Sequence, residues 1–120
     1  MKLLESGEMY LETIYILSKK GPVRSIDVCD YRGFSKPSVS RAVSLLKKDG
    51  YLSVEKGGAL VLTEKGLGVA TAIYERHTVL TEFFVKLGVD PKVAADDACK
   101  LEHGLSDETF GRLKEHIKSI

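Results

Sequence analysis

The spacing of apolar residues changes from helical to alternating near residue 50 and returns to helical near residue 63. Before the change, the helical spacing predicts three helices, over residues 6–18, 25–33 and 35–49. Each segment opens on a serine that can cap a helix N-terminus: Ser6, Ser25 and Ser35. In the alternating stretch, two β-rich runs flank Lys56-Gly57-Gly58, whose glycines supply the positive φ of a hairpin turn. Three helices followed by a hairpin predict a winged helix-turn-helix.

The chain after the hairpin predicts three more helices. They cover residues 64–87, 91–103 and 107 almost to 120, and a capping residue precedes each of them: Thr63, Asp90 and Ser106. The fourth helix carries more apolar residues than one small domain can cover, which predicts a homodimer. The predicted fold class is therefore mainly α with a small β-hairpin. It comprises a winged helix-turn-helix DNA-binding domain over residues 1–66 and a helical dimerisation domain over residues 67–120.

The charge of the chain is unevenly distributed. The 120 residues have a net charge of +1, but residues 1–66 hold a net +3 and residues 67–120 a net −2. Within residues 19–48, eight Lys and Arg residues stand against two Asp residues. Such an excess of positive charge suits a polyanion such as DNA, although a solvated helix surface would have the same composition.

Cysteine content and hydropathy indicate the compartment. The two cysteines, Cys29 and Cys99, are too few for a disulfide framework. No apolar run approaches the roughly 18–20 residues of a membrane span, and the N-terminus lacks a signal-peptide pattern. We expect a cytoplasmic protein with reduced thiols, no membrane partner, and Cys29 in its core.

The third predicted helix has the features of a recognition helix. In a helix-turn-helix, the N-terminal residues of the second helix of the pair meet the base edges in the major groove. Arg41 can contact a guanine through two hydrogen bonds, whereas serines contact bases or phosphates, and lysines suit phosphates. The predicted DNA-binding residues are Ser35, Lys36, Pro37, Ser38, Ser40, Arg41, Lys47, Lys48 and Lys56. The alternative is that Ser35 acts only as a cap and the other residues only as exposed helix surface.

A possible metal site lies near the end of the fifth predicted helix. Cys99, Glu102 and His103 stand at positions i, i+3 and i+4, so that a thiolate, a carboxylate and an imidazole share one helix face. This spacing is weakly specific by itself, because a small buried cysteine beside an exposed Glu-His pair is commoner. Met9 and Glu12 share a face of the first helix, where core packing and solvation are the default interpretations. His77 can be an ordinary surface histidine of the fourth helix.

Taken together, these motifs resemble a family, the metal-dependent repressors typified by the diphtheria toxin repressor and the manganese transport regulator. Four segments carry the likeness, in the family's order: residues 8–15 (EMYLETIY), residues 35–40 (SKPSVS), Arg76-His77, and residues 97–103 (DACKLEH). The resemblance implies a regulatory metal held by Met9, Cys99, Glu102 and His103, with Glu12 nearby. It also implies that His77 belongs to a second site, in which Glu12 and His77 share an ion.

The chain departs from the family pattern at the second site. Relatives have an acidic residue where Thr81 stands, and some have a histidine where Ala95 stands. The pattern therefore does not decide whether the second site is intact. The resemblance further implies a short form of the family, without the SH3-like domain of longer relatives. Thioether and thiolate ligands favour Fe²⁺ over Mn²⁺, and Co²⁺, Ni²⁺ or Zn²⁺ are expected to substitute in vitro.

We therefore expect a metal-dependent repressor of metal-uptake genes that binds a palindromic double-stranded operator as a homodimer. Repression rests on the resemblance alone. The first alternative is a winged-helix regulator in which Cys99 responds to oxidation. A metalloenzyme is disfavoured because no nucleophile–base pair, phosphate-binding glycine loop or site for a small organic substrate is recognisable. A protein-interaction module built on the winged helix is a further alternative.

Overall fold

The computed structural model describes residues 5–119. In chain order the elements are α1 (Glu5–Ser18), α2 (Ser25–Arg32), α3 (Lys36–Lys48), β1 (Leu52–Val54), β2 (Leu60–Leu62), α4 (Glu64–Lys86), α5 (Pro91–Leu101) and α6 (Asp107–Lys118). They form two compact units, residues 1–71 and residues 72–120, and the division falls inside α4. None of the helices in residues 5–119 is long and apolar enough to cross a membrane. The domain boundary predicted after residue 66 stays a prediction.

The first unit has the predicted order of three helices and a hairpin. Its core is a cluster of buried apolar side chains from α1, α2, α3, the hairpin and the start of α4; Leu11, Val28 and Val39 are 0% exposed. Cys29 lies in this core, as predicted. The strands pair antiparallel, and the N–H of Leu60 also bonds to the carbonyl of Val23 at 2.7 Å. This bridge attaches the hairpin to the segment before α2.

The turns follow the chemistry expected of their residues. Gly57 and Gly58 take positive φ angles of 100° and 95° in the hairpin turn, and Gly33 takes 73° where α2 ends. These left-handed conformations suit glycine because they place a Cβ atom too close to the backbone. They confirm the predicted hairpin turn and the predicted end of the second helix.

Two of the predicted caps are wrong. Ser6 lies inside α1, whose first turn also carries Glu5 and Glu8. Ser25 is the first residue of α2, and the cap is the preceding Arg24, whose N–H donates to Asp27 Oδ2 at 2.8 Å. A carboxylate at the third position of the helix thus accepts the N–H of the cap residue, which is one half of a capping box. The other predicted caps, Ser35, Thr63, Asp90 and Ser106, are confirmed.

The second unit consists of the remainder of α4 with α5 and α6. Its buried side chains include Ile73 and Leu80 of α4, Ala98 of α5, and Phe110 and Ile117 of α6. Large apolar side chains nevertheless stay exposed at the end of α4 and along α5: Val85 (40%), Leu87 (64%), Val93 (48%) and Leu101 (45%). The predicted apolar excess of the fourth helix stays a prediction.

Candidate metal centre and DNA-binding surface

The second unit contains a buried carboxylate between two imidazoles. Glu102 directly follows α5 and is 0% exposed. Its Oε2 lies 3.0 Å from Nδ1 of His77 in α4, and its Oε1 lies 3.4 Å from Nε2 of His103. The backbone N–H of Glu102 still bonds to the carbonyl of Ala98 at 2.9 Å. The helical path therefore reaches Glu102, although α5 ends at Leu101 rather than at the predicted His103.

Arg76 holds the turn that carries Glu102 and His103. Its Nη1 donates to the carbonyls of Glu102 (3.2 Å) and Leu105 (2.5 Å), and its Nη2 donates to Asp107 Oδ1 at 2.6 Å. The guanidinium also lies 5.2 Å from the ring centroid of Phe110. The sequence alone does not reveal this role, because an arginine next to a candidate ligand looks like a surface charge. The pair Arg76-His77 in the quoted motif was the available signal.

Cys99 lies in α5 one turn before Glu102, half-buried and without a disulfide. The two positions at which the chain departs from the family pattern offer little to a second ion. Thr81 Oγ1 donates to the carbonyl of His77 at 2.7 Å, so its hydroxyl bonds to its own helix. Ala95 has no donor atom in its side chain.

The donor set of the second unit fits a divalent transition metal. A buried carboxylate is costly unless it is paired or coordinated, and the imidazoles of His77 and His103 that contact it are ligands that such ions favour. His103, whose side chain is 1% exposed, and Glu102 are both shielded from bulk water. Shielding strengthens the attraction between these ligands and a cation.

In the first unit, Met9 and Glu12 lie on α1, half-buried and buried respectively. Glu12 pairs with Arg32, the last residue of α2: Oε1 lies 3.8 Å from Nη2. Arg32 Nε also donates to Thr13 Oγ1 at 2.6 Å. Arg32 belongs to the basic stretch predicted to suit a polyanion, and its guanidinium is used inside the unit.

α1 also contacts the segment just before the recognition helix. Tyr10 packs on Phe34 with 5.4 Å between ring centroids. Burial raises the pKa of the Tyr10 hydroxyl, Cys29 raises it further, and the positive charge of Arg41 opposes both. The ring contact joins α1 to the segment before α3.

The predicted DNA-binding residues are mostly exposed. In the first turns of α3, Lys36, Pro37, Ser40 and Arg41 are exposed and Ser38 is half-buried. Ser35 accepts the N–H of Ser38 at 3.3 Å and donates to its hydroxyl at 2.8 Å. Capping therefore engages these two serines. Three lysines are exposed further along the unit, Lys47 and Lys48 at the end of α3 and Lys56 in the hairpin turn.

Comparison with known proteins assigns both halves of the chain to one family. The family model "Iron dependent repressor, N-terminal DNA binding domain" matches residues 2–60. The model "Iron dependent repressor, metal binding and dimerisation domain" matches residues 63–120. The chain belongs to the iron-dependent repressor family. These repressors are metal-dependent transcriptional regulators with a DNA-binding and a dimerisation domain, as the resemblance implied.

Individual relatives agree with this assignment. An uncharacterised HTH-type transcriptional regulator of Methanocaldococcus jannaschii is 37% identical over 113 residues, which cover 92% of this chain and 90% of that protein. The diphtheria toxin repressor of Corynebacterium diphtheriae is 33% identical over 98% of this chain and 53% of its own length. The structure of the manganese regulator SloR is 27% identical and superposes with a TM-score of 0.83, covering 98% of this chain and 55% of that one. The chain thus spans about half the length of the last two proteins.

Membership in this family confirms the predicted winged helix-turn-helix and the predicted class of metal-dependent repressor. The Cys99 redox switch, the alternative from sequence, receives no support from the comparisons. The family binds divalent metals, and its relatives include iron and manganese regulators.

Proposed function

We propose that the chain represses metal-uptake genes when Fe²⁺ binds, by holding a palindromic operator as a homodimer. Mn²⁺ is the alternative metal. The observation that carries the proposal is the buried carboxylate of Glu102 between His77 and His103, inside the segment that matches a metal-binding and dimerisation domain. Since operator DNA is the proposed partner, we also propose that the protein acts in the cytoplasm, as a regulator and not as an enzyme.

The proposed metal ligands are Met9, Cys99, Glu102 and His103, with Glu12 and His77 as further ligands. Cys99 and Met9 offer soft sulfur atoms, and this softness supports Fe²⁺ over Mn²⁺. The bound cation would supply positive charge beside the buried carboxylate of Glu102. Arg76 binds the backbone carbonyls of Glu102 and Leu105 and so holds the turn that carries Glu102 and His103.

The proposed DNA-binding surface is the exposed face of α3 together with the hairpin turn. Arg41 reads a guanine, Ser40 and Pro37 allow close approach to the base edges, and Ser35 and Ser38 fix the helix start. Lys36, Lys47, Lys48 and Lys56 bind phosphates, where charge matters and base sequence does not.

Two of the proposed ligands lie on α1, which suggests how metal controls DNA binding. Met9 and Glu12 share α1 with Tyr10, which packs on the segment before α3. A metal that holds these ligands restricts the motion of the DNA-binding helices before DNA binds. The free-energy cost of ordering the helices is then no longer subtracted from the free energy of DNA binding. Coupling of this kind is typically worth about 1–3 kcal/mol.

A DNA-binding measurement tests the proposal. Duplexes are selected from a random pool with Mn²⁺ present, and their binding is followed by fluorescence anisotropy with Fe²⁺ (anaerobically), Mn²⁺ or chelator at several salt concentrations. We expect a palindromic consensus, binding that requires metal, and a steep loss of affinity with salt. Arg41→Met is expected to weaken binding at least tenfold, whereas Arg112→Met, an equal charge change on an exposed side chain of α6, is expected to leave it unchanged. Binding that is insensitive to both metal and salt would contradict the proposal.

A further measurement separates metal control from a thiol switch. Met9→Ala is expected to abolish the metal-stimulated part of DNA binding, because it removes a proposed ligand without touching a thiol. Ile26→Ala, an apolar truncation on the exposed face of α2, is the control and is expected to leave stimulation intact. A Met9→Ala protein that still responds to metal, but loses its response when Cys99 is oxidised, would favour the redox alternative.

A further inference from the structure

The side chain of Arg32 lies between the helix-turn-helix and the candidate ligands of α1. It is 18% exposed, and its Nη2 is 3.8 Å from Oε1 of Glu12, whose side chain is 3% exposed. At 3.8 Å the contact is an ion pair rather than a hydrogen bond. The nearly buried carboxylate of Glu12 thus has a cation of the same unit beside it.

The same guanidinium is linked to the backbone of Met9 through the hydroxyl of Thr13. Arg32 Nε donates to Thr13 Oγ1 at 2.6 Å, and this hydroxyl donates to the backbone carbonyl of Met9 at 2.8 Å. Thr13 is 0% exposed, so water does not compete for these bonds. Arg32 therefore contacts one proposed ligand directly and the backbone of another through Thr13.

Charge determines what this contact does when a metal arrives. A buried carboxylate needs a positive neighbour, and a guanidinium is permanently charged. Glu12 can bind a divalent cation only while Arg32 stays nearby and repels it, or after Arg32 moves away. The guanidinium already has a second contact, because its central carbon lies 5.4 Å from the ring centroid of the half-exposed Tyr31, and this contact does not depend on Glu12.

We infer that Arg32 is the counter-ion of Glu12 in the metal-free protein, and that it competes with the activating metal for this carboxylate. Arg32 then sets the metal concentration at which the protein becomes able to bind its operator. The inference rests on the proposed function, because it requires Glu12 to contact the metal.

A purely structural role for Arg32 predicts a different result. If Arg32 only tied α2 to α1, its removal would weaken both the metal-free fold and metal binding. A competing counter-ion has opposite effects on the two: its removal destabilises the metal-free protein and tightens metal binding. The sign of the change in metal affinity therefore distinguishes the two roles.

The experiment compares the parent chain with R32M, R32K and K20M. K20M removes an equal charge from an exposed residue of the same unit. Mn²⁺ affinity is measured by calorimetry, and the stability of the metal-free protein by urea unfolding with chelator present. We expect R32M to bind Mn²⁺ at least tenfold more tightly and to unfold at a lower urea concentration. R32K and K20M are expected to stay within threefold of the parent in affinity.

The double variant E12Q/R32M tests the pairing without metal. If Arg32 compensates Glu12, removing both charges restores the urea midpoint that R32M loses, and this comparison stands even where R32M alone unfolds without metal. An R32M protein that binds Mn²⁺ as the parent does, or more weakly, overturns the inference and leaves the proposed function in place. A double variant no more stable than R32M also overturns the inference. A parent chain that binds neither Mn²⁺ nor Co²⁺ overturns both.

Discussion

Two arginines determine how the candidate ligands are held, and they act through different atoms. Arg76 binds backbone carbonyls and so fixes the path of the turn that carries Glu102 and His103. Arg32 faces a side-chain carboxylate and so affects its charge. A backbone contact supports a ligand whether or not metal is present, whereas a charge contact opposes the metal. At the residue scale, Arg76 favours metal binding, and Arg32 sets the metal concentration at which binding occurs.

The Arg76 contacts lead to a stability prediction. Arg76→Met leaves the carbonyls of Glu102 and Leu105 without this donor, and an unsatisfied buried acceptor costs about 1–3 kcal/mol. We expect the free energy of unfolding of the metal-free protein to fall by about 2–4 kcal/mol, measured by urea denaturation. Lys114→Met removes a more exposed pair, Lys114 with Glu75, and is expected to cost less than about 1 kcal/mol. Equal losses in the two variants would contradict the role assigned to Arg76.

At the scale of elements, the hairpin and the start of α4 depend on a close approach of backbones. Gly66, in the first turn of α4, lies against the carbonyl of Tyr51, which precedes β1. Thr63 strengthens this corner by accepting the N–H of Gly66 and donating to the carbonyl of Gly50. The corner connects the end of α3, the hairpin and α4, and it requires a residue without a side chain at position 66.

Gly66→Ala tests this corner. The added Cβ would overlap the carbonyl oxygen of Tyr51, which is backbone and cannot rotate away. We expect a loss of at least about 2 kcal/mol in unfolding free energy, measured by urea denaturation. Gly68→Ala, two residues along the same helix, meets nothing within 4 Å and is expected to stabilise the helix by about 0.5–1 kcal/mol. A stable Gly66→Ala protein would show that the corner is more open than described.

At the scale of the whole molecule, metal and DNA are expected to act on one equilibrium. If bound metal favours the conformation that binds the operator, DNA must tighten metal binding by the same factor. The proposed route runs through α1, since this helix carries Met9 and Glu12 and also packs on the segment before α3. The matched dimerisation domain then presents two such units to a palindromic site.

Reciprocity gives a prediction that needs no structure of the complex. The ratio of DNA affinities with and without Mn²⁺ is expected to equal the ratio of Mn²⁺ affinities with and without the selected duplex, at about 5–150-fold. Anisotropy measures the first ratio and calorimetry the second, at one salt concentration. A control duplex of scrambled sequence is expected to leave Mn²⁺ affinity unchanged. Ratios that differ by more than experimental error would mean that metal acts on something other than the DNA-binding conformation.

Metal is also expected to stabilise the fold. A ligand that binds the folded state at 100 times its dissociation constant adds about 2.7 kcal/mol to the free energy of unfolding. Urea unfolding with Mn²⁺ at this ratio, against chelator, measures the gain, and Mg²⁺ at the same concentration is the control because it disfavours sulfur ligands. An equal gain from Mg²⁺ would argue against the proposed ligand set.

Local sequence determined the elements of this protein. Caps such as Ser35 and Asp90, the paired glycines of the hairpin and the return of helical spacing after Thr63 act over a few residues, and the helices and strands follow them closely. The spacing of Cys99, Glu102 and His103 likewise grouped three candidate ligands, because one helical turn brings such positions to one face.

Tertiary structure alone decided which charges are used inside the protein. The contacts of Glu102 with His77 and of Arg76 with Leu105 join residues 25 and 29 positions apart, and that of Arg32 with Thr13 joins residues 19 apart. No periodicity specifies such pairs, since they depend on how helices pack. The basic stretch therefore includes Arg32, although its guanidinium lies beside a buried carboxylate. A sequence lists the charges, but burial and distance decide which of them meet solvent, DNA or one another.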